Sequence, residues 1–199
     1  MTAPILPHLR VSSFLDPEMH AALLDWTLSN AARFVPAQLA GGMVNPAARS
    51  ALVLRDLGPL ATPLDARMRA ETSGWTASLR ATRFETSEVE LELAAHNEGA
   101  HFTLHTDTYA SADAARGDRM LSAVYYFHRQ PKGFDGGALR LHRLGAAPGD
   151  AGEDITPDDN SLVVFPSWGP HEVMPVSCAS GAFADSRFAV NCWIYRARS

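Results

Sequence analysis

The sequence predicts a mainly β fold with N-terminal helices, in which short strands build a sandwich, barrel or jelly roll of two facing sheets. Three observations carry this expectation. From about Ala81 the apolar period changes from helical to two, so that Val89-Glu90-Leu91-Glu92-Leu93 alternates residue by residue. Short apolar runs then recur down the chain with Gly, Pro and Asp between them. The first third carries helix-start signals and helical spacing instead. With 199 residues the chain is long enough for one sizeable core and too short for two ordinary domains. Residues 1–199 are therefore read as one domain, with 1–80 as a helical brace and 81–199 as the β core.

Taken in order, Leu9 to Leu15 reads as a short edge strand leading into a helix. Asp16-Pro17-Glu18 supplies an N-cap acid followed by proline at the first helical position, and the helix runs to about Ala32. Leu23, Leu24, Trp26, Thr27 and Leu28 give its apolar stripe. Pro36 to Pro46, with Gly41-Gly42 inside, is a loop, and Ala51 to Leu54 is too short to assign between strand and helix. Pro59 to about Ser73 reads as a second helix, with Gly74 as its stop. Strands follow at Val89 to Ala95, Ala100 to Asp107, Leu121 to Phe127 and Ala138 to His142, with Gly136-Gly137 as a turn or bulge. Gly145 to Asn160 is a long exposed connection. Ser161 to Phe165, His171 to Val176 and Arg187 to Tyr195 complete the set, and alternating buried faces in two sheets would make a jelly roll.

Composition excludes several classes of function. The net charge is −5 with scattered basic residues, which is no footprint for nucleic acid. Hydrophobic content is 46% and mean hydropathy −0.10, and no run of 18 apolar residues offers a membrane span. The start lacks a basic region and a continuous apolar stretch, so secretion is not expected and a cytoplasmic location is. The two cysteines, Cys178 and Cys192, read as reduced thiols.

The chemistry gathers at His105-Thr106-Asp107. Residues two apart on a strand share a face, so His105 and Asp107 can grip one ion from one side. A second histidine must come from elsewhere to complete a 2-His-1-carboxylate set, which leaves three adjacent positions open on the metal. His171, just after the apolar run Leu162 to Phe165, is the candidate. His101, four residues before His105 and on the same face by alternation, is its rival, since His101, His105 and Asp107 could hold zinc or another metal without His171. His8, His20, His128 and His142 read as ordinary surface or core histidines. Arg187 opens the last strand and can hold a carboxylate through two parallel hydrogen bonds.

The ordered blocks His105-x-Asp107, Gly136-Gly137-Ala138-Leu139-Arg140-Leu141, Phe165-Pro166-x4-His171-Glu172-Val173-x-Pro175-Val176 and Arg187-Phe188 resemble the Fe(II)- and 2-oxoglutarate-dependent dioxygenases, in their prolyl-hydroxylase-like branch. The resemblance covers about residues 84 to 196. It implies a double-stranded β-helix, a cupin-like jelly roll, with His105, Asp107 and His171 as metal ligands. It also implies Fe(II), 2-oxoglutarate and O2 as the reacting partners, with ascorbate in support. Arg187 takes the place of the residue that anchors the remote carboxylate of 2-oxoglutarate. Some relatives use lysine there, but Lys132 is the only lysine in this chain and precedes His171. The His171-to-Arg187 interval is longer than usual, which leaves Arg140 as a rival anchor, although Arg140 alternates outward between inward-facing Leu139 and Leu141.

In the same resemblance Tyr126 matches a tyrosine that hydrogen-bonds that carboxylate, with Tyr125 facing the other way. Leu139 lines the cosubstrate pocket, and His96 falls where relatives often carry another pocket tyrosine. Alternation from Arg187 turns Asn191 and Trp193 toward the iron, and Tyr109 begins the loop to Arg119 beside the metal pair. The activity implied is hydroxylation of a C–H bond. The substrate would be a prolyl residue in a protein or peptide, or an amino-acid-like small molecule. Two other readings stand beside it: a cupin-like isomerase or lyase without 2-oxoglutarate, and a non-catalytic sensor domain that binds metal and 2-oxoglutarate.

Overall fold

A computed structural model describes residues 5–39, 42–108 and 116–198. In chain order the strands are β1 (Leu9–Ser12), β2 (Val35–Pro36), β3 (Arg49–Ser50), β4 (Leu52–Leu54), β5 (Thr86–His96), β6 (His101–His105) and β7 (Asp118–Phe127). They continue with β8 (Asp135–Gly136), β9 (Leu139–Leu141), β10 (Glu153–Ile155), β11 (Ser161–Pro166), β12 (His171–Val173), β13 (Val176–Ser177) and β14 (Arg187–Arg196). Two helices, α1 (Pro17–Ser29) and α2 (Ala61–Ser78), lie in the first third.

The strands form the two facing layers that the alternation predicts. A larger antiparallel sheet has the order β1-β11-β7-β14-β5-β4-β2, and a smaller one the order β10-β9-β12-β6-β3. The short pair β13-β8 stands apart. This is the mainly β jelly roll with bracing helices.

The strict period of two lets one strand serve both core and site. On β14, Phe188, Val190 and Ile194 face the helices and are fully buried among Leu23, Leu64, Met68 and Trp75. Arg187, Ala189, Asn191 and Trp193 therefore point to the space between the sheets. On β7, Tyr125 belongs to the helix-side core, while Tyr126 packs with Leu139, Leu141, Val163 and Phe165 between the sheets.

The helices follow their end signals at one terminus and depart from them at the other. Asp16 caps α1, its carboxylate accepting from the Met19 N–H at 2.9 Å, and Leu23 and Thr27 form its fully buried face. Helix α2 does not stop at Gly74 but runs on to Ser78. The residues just beyond Gly74 explain this. Trp75 is buried and lies 6.1 Å from the ring of Phe14, so packing outweighs the local cost of a glycine inside a helix. The stop comes instead at Arg80, which takes a left-handed φ of 52°. Arg80 N–H bonds to Ala77 O at 3.1 Å and Ala81 N–H to Thr76 O at 3.0 Å, a Schellman pattern without glycine.

Gly74 is exposed, and a Cβ built there meets nothing within 4 Å. Gly74→Ala is expected to stabilise the protein by about 0.5–1 kcal/mol, seen as a higher urea midpoint at unchanged slope.

Other boundaries also move. Ala51 to Leu54 resolves into β4, which pairs with β5. The connection from Gly145 to Asn160 is not wholly irregular, because Glu153–Ile155 adds β10 to the edge of the smaller sheet. Ile155 supplies the buried residue that anchors it, a single apolar side chain too isolated in sequence to reveal a strand.

Candidate active site

Strands β6 and β12 are neighbours, and their register sets His171 opposite His105. The two imidazole centroids are 4.1 Å apart. His105 Nε2 lies 3.8 Å from Asp107 Oδ1, and His171 Nε2 lies 3.6 Å from Asp107 Oδ2. Among the described residues, His105, Asp107 and His171 form a group whose ligand atoms all fall within 4.8 Å of one another, the spacing a single ion needs. Asp107 is not on the strand itself. The ladder ends at His105, and Asp107 occupies the bend after it, pinned by its N–H to Ser167 O at 2.9 Å.

The histidine tautomers are set by the backbone. His105 Nδ1 is 2.7 Å from Thr103 O, and His171 Nδ1 is 2.9 Å from Gly169 O. A carbonyl can only accept, so each Nδ1 carries the proton and each Nε2 presents a lone pair to the shared space. Glu172 plays no part in this, since it faces the other side of β12 and bonds His142 Nε2 at 3.0 Å. Burial, and then the neighbouring His171, push the His105 imidazole down to about 3, so it is neutral at ordinary pH. Burial alone would raise the Asp107 carboxyl. The group is nevertheless held below its usual range, as a carboxylate, with the Ser122 hydroxyl donating to it at 2.6 Å. A metal ligand set needs these protonation states.

His101 stands outside the group. Its ring nitrogens are 3.0 Å from Gly99 O and 3.2 Å from Ala47 O, turned toward loop backbone rather than toward Asp107. His105 is backed by Phe102, stacked at 3.5 Å between centroids, and Arg49 lies over that ring at 5.1 Å.

Deeper between the sheets is an unmatched cation. Arg187 is 1% exposed, and its Nη1 donates to His96 Nδ1 at 3.3 Å. Its guanidinium carbon lies 4.8 Å from the centre of the Tyr126 ring. Its Nε and Nη2, and the Tyr126 hydroxyl, are buried without a hydrogen-bond partner among the described residues. Such a cation is costly to bury unless an anion meets it. Burial lowers the Arg187 guanidinium from its ordinary value, and burial followed by Arg187 holds His96 well below its own, so His96 is a neutral acceptor toward the arginine. Gly137, at φ +67°, makes room for this: a Cβ there would lie 2.6 Å from Arg187 Cδ.

One pocket is lined by residues of both centres, among them His105, Asp107, His171, His96, Arg187 and Leu139. Asn191 and Trp193 line it as well. Tyr109 lies outside the described residues. Arg140, the rival anchor, sits elsewhere and is paired with Asp154 at 2.5 and 2.8 Å. The unpartnered Arg187 edge and Tyr126 hydroxyl fit a carboxylate, and the two imidazoles with one carboxylate fit Fe(II).

Two features of this pocket have no motif. Ser122 and Ser167 form a buried hydroxyl chain to Asp107, and Glu92 clamps Arg49 at 2.6 Å at the pocket wall. Parity alone could have flagged Ser122, which shares a face of β7 with Tyr126.

Comparison with known proteins agrees with the geometry. The model of the 2OG-Fe(II) oxygenase superfamily matches residues 91–195, just over half of the chain. The chain belongs to that superfamily. An uncharacterized PKHD-type hydroxylase from Synechocystis sp. is 30% identical over 189 residues, which is 92% of this chain and 61% of that protein. The chain thus spans about three fifths of the length of this curated relative. Among solved structures, a Pseudomonas putida prolyl-4-hydroxylase superposes with a TM-score of 0.70 at 23% identity, covering 98% of this chain and 94% of that one. A Trichoplax adhaerens prolyl hydroxylase in complex with a hypoxia inducible factor oxygen degradation domain peptide fragment gives 0.69 at 17% identity, covering 95% and 83%. At these identities the two solved structures speak to the fold, a double-stranded β-helix.

Proposed function

We propose that this chain is an Fe(II)- and 2-oxoglutarate-dependent hydroxylase whose residues 1–199 work as one domain. The observation that carries the reading is the pairing, in one pocket, of a three-ligand metal group with a buried arginine edge that lacks its anion. His105, Asp107 and His171 would hold Fe(II). Arg187, with the Tyr126 hydroxyl, would hold the remote carboxylate of 2-oxoglutarate, and Leu139 would pack along its chain. With O2, that pair supplies the oxidising chemistry: 2-oxoglutarate goes to succinate and CO2, and one oxygen atom enters a C–H bond of the substrate.

The protein's own contribution is geometric and electrostatic. Thr103 and Gly169 carbonyls keep the Nδ1 protons of the ligand histidines in place. His96 occupies Arg187 Nη1 and leaves Nε and Nη2 without a partner among the described residues, the edge that would meet a carboxylate side-on. The apolar group around Tyr126, Leu139, Val163 and Phe165 keeps water from that charge pair. Asn191, Trp193 and Tyr109 would meet the primary substrate.

For the substrate we infer a prolyl residue of a protein or peptide, or an amino-acid-like small molecule. The fold shared with a prolyl hydroxylase solved in complex with a peptide supports the first. Ascorbate would serve as a supporting reductant. A cytoplasmic setting agrees with Cys178 and Cys192 as free, buried thiols.

The test is succinate release and +16 mass products from prolyl peptides and from metabolite pools, with Fe(II), ascorbate and 2-oxoglutarate supplied. Substrate-dependent succinate with a matching +16 product is expected. Metal retention without 2-oxoglutarate binding would favour the isomerase or lyase reading. Binding of both without succinate from any candidate would favour the sensor.

A further inference from the structure

The Asp107 carboxylate ends a short hydroxyl chain buried in the larger sheet. Ser122 Oγ lies 2.6 Å from Asp107 Oδ2 and 2.9 Å from Ser167 Oγ. A carboxylate ligand can only accept, so Ser122 donates to Asp107, and the proton between the serines belongs to Ser167. The order of donation is thus fixed as Ser167 to Ser122 to Asp107. Both serines are out of solvent, at 0% and 1% exposure.

Each serine is also held by its backbone. Ser122 pairs with Phe165 of β11 on one side and Trp193 of β14 on the other. Ser167 N–H bonds to Met120 O at 3.1 Å, and Ser167 O accepts from Asp107 N–H at 2.9 Å. Ser167 therefore fixes the backbone of Asp107, and Ser122 fixes one oxygen of its side chain. This matters because Asp107 lies in a bend, where no strand ladder orients it.

We propose that the Ser167–Ser122 chain is a positioning device that fixes the rotation of the Asp107 carboxylate, holding Oδ1 3.8 Å from His105 Nε2 and Oδ2 3.6 Å from His171 Nε2 for an ion shared with both imidazoles. The proposal rests on the metal reading of His105, Asp107 and His171. A carboxylate left free to rotate would carry its oxygens away from one imidazole or the other, and the group would lose the close spacing that one ion needs. A charge-assisted hydrogen bond in a dry site, strengthened by a second hydroxyl behind it, opposes that swing. Ser122 also lines the pocket, but its hydroxyl proton is engaged by Asp107, so both serines act as positioning residues through Asp107.

Co(II) is the probe, because its visible absorption reports coordination number and geometry without turnover. Apo protein, Ser122→Ala and Ser167→Ala are titrated with Co(II), with circular dichroism as the check on folding. In Ser122→Ala, Co(II) affinity is expected to fall about 10- to 100-fold, with a changed visible spectrum. Ser167→Ala should shift both in the same direction by less. Wild-type affinity and spectrum in a folded Ser122→Ala overturn the serine chain while leaving the metal reading intact. If Ser122→Ala does not fold, Ser167→Ala decides alone, and a wild-type spectrum there overturns it equally. An unsubstituted protein that takes up no Co(II) overturns the metal reading and the serine chain together.

Discussion

Alanine at His105, Asp107 or His171 is expected to lower metal affinity by more than about 100-fold each, because even partners that only orient a ligand cost 10- to 100-fold. Each substitution removes one of three donors, and among the described residues no fourth His, Cys, Asp or Glu joins the group. His101→Ala is expected to keep metal affinity within a few-fold. Its imidazole is engaged with the Gly99 and Ala47 carbonyls and lies outside the group of ligand atoms. The comparison is read by titrating Mn(II) or Co(II) into each apo variant. Strong binding in His171→Ala beside loss in His101→Ala would move the centre one turn of alternation down β6 and support the isomerase or lyase reading.

The second large effect belongs to Arg187. Removing one partner of a buried, hydrogen-bonded charge pair typically costs about 2–5 kcal/mol, on the order of 30- to several-thousand-fold in affinity. Arg187→Ala is therefore expected to weaken 2-oxoglutarate binding by that factor with metal affinity retained. Arg187→Lys keeps a charge but loses the planar edge and its bond to His96, so an intermediate loss is expected. Tyr126→Phe removes one hydroxyl donor and should be milder than either. Arg140→Ala should leave 2-oxoglutarate binding unchanged, because Arg140 is occupied by Asp154 on the outer face of its sheet. Loss in Arg140→Ala with none in Arg187→Ala would place the anchor on the wrong strand.

The parts of this molecule legible in the sequence are those governed by strand parity. The alternation of Phe188, Val190 and Ile194 against Arg187, Asn191 and Trp193 needs no tertiary information, and it sorts β14 into a core face and a pocket face. The same parity separates Tyr125 from Tyr126. What stayed hidden depends on long-range contacts. Gly74 reads as a stop until Trp75 is seen against Phe14. Ile155 is one apolar residue in a polar run until β9 is placed beside it. The i, i+2 spacing of His105 and Asp107 named the right neighbours, yet Asp107 arrives through a bend held by Ser167. The acceptors for the histidine N–H groups are backbone carbonyls, which carry no residue signature, and the neighbouring Glu172 points elsewhere. Ser122 and Ser167 meet only once β7 and β11 pair.

One pocket that holds a metal and a dicarboxylate at once must bind the two together. This is tested most directly by calorimetric titration of 2-oxoglutarate into the protein without O2, with and without Mn(II). One 2-oxoglutarate per chain is expected, bound far more tightly when Mn(II) is present, because the metal group and Arg187 would grip opposite ends of the same molecule. Absence of binding to the Mn(II)-loaded protein, or binding of equal strength with and without metal, would contradict it.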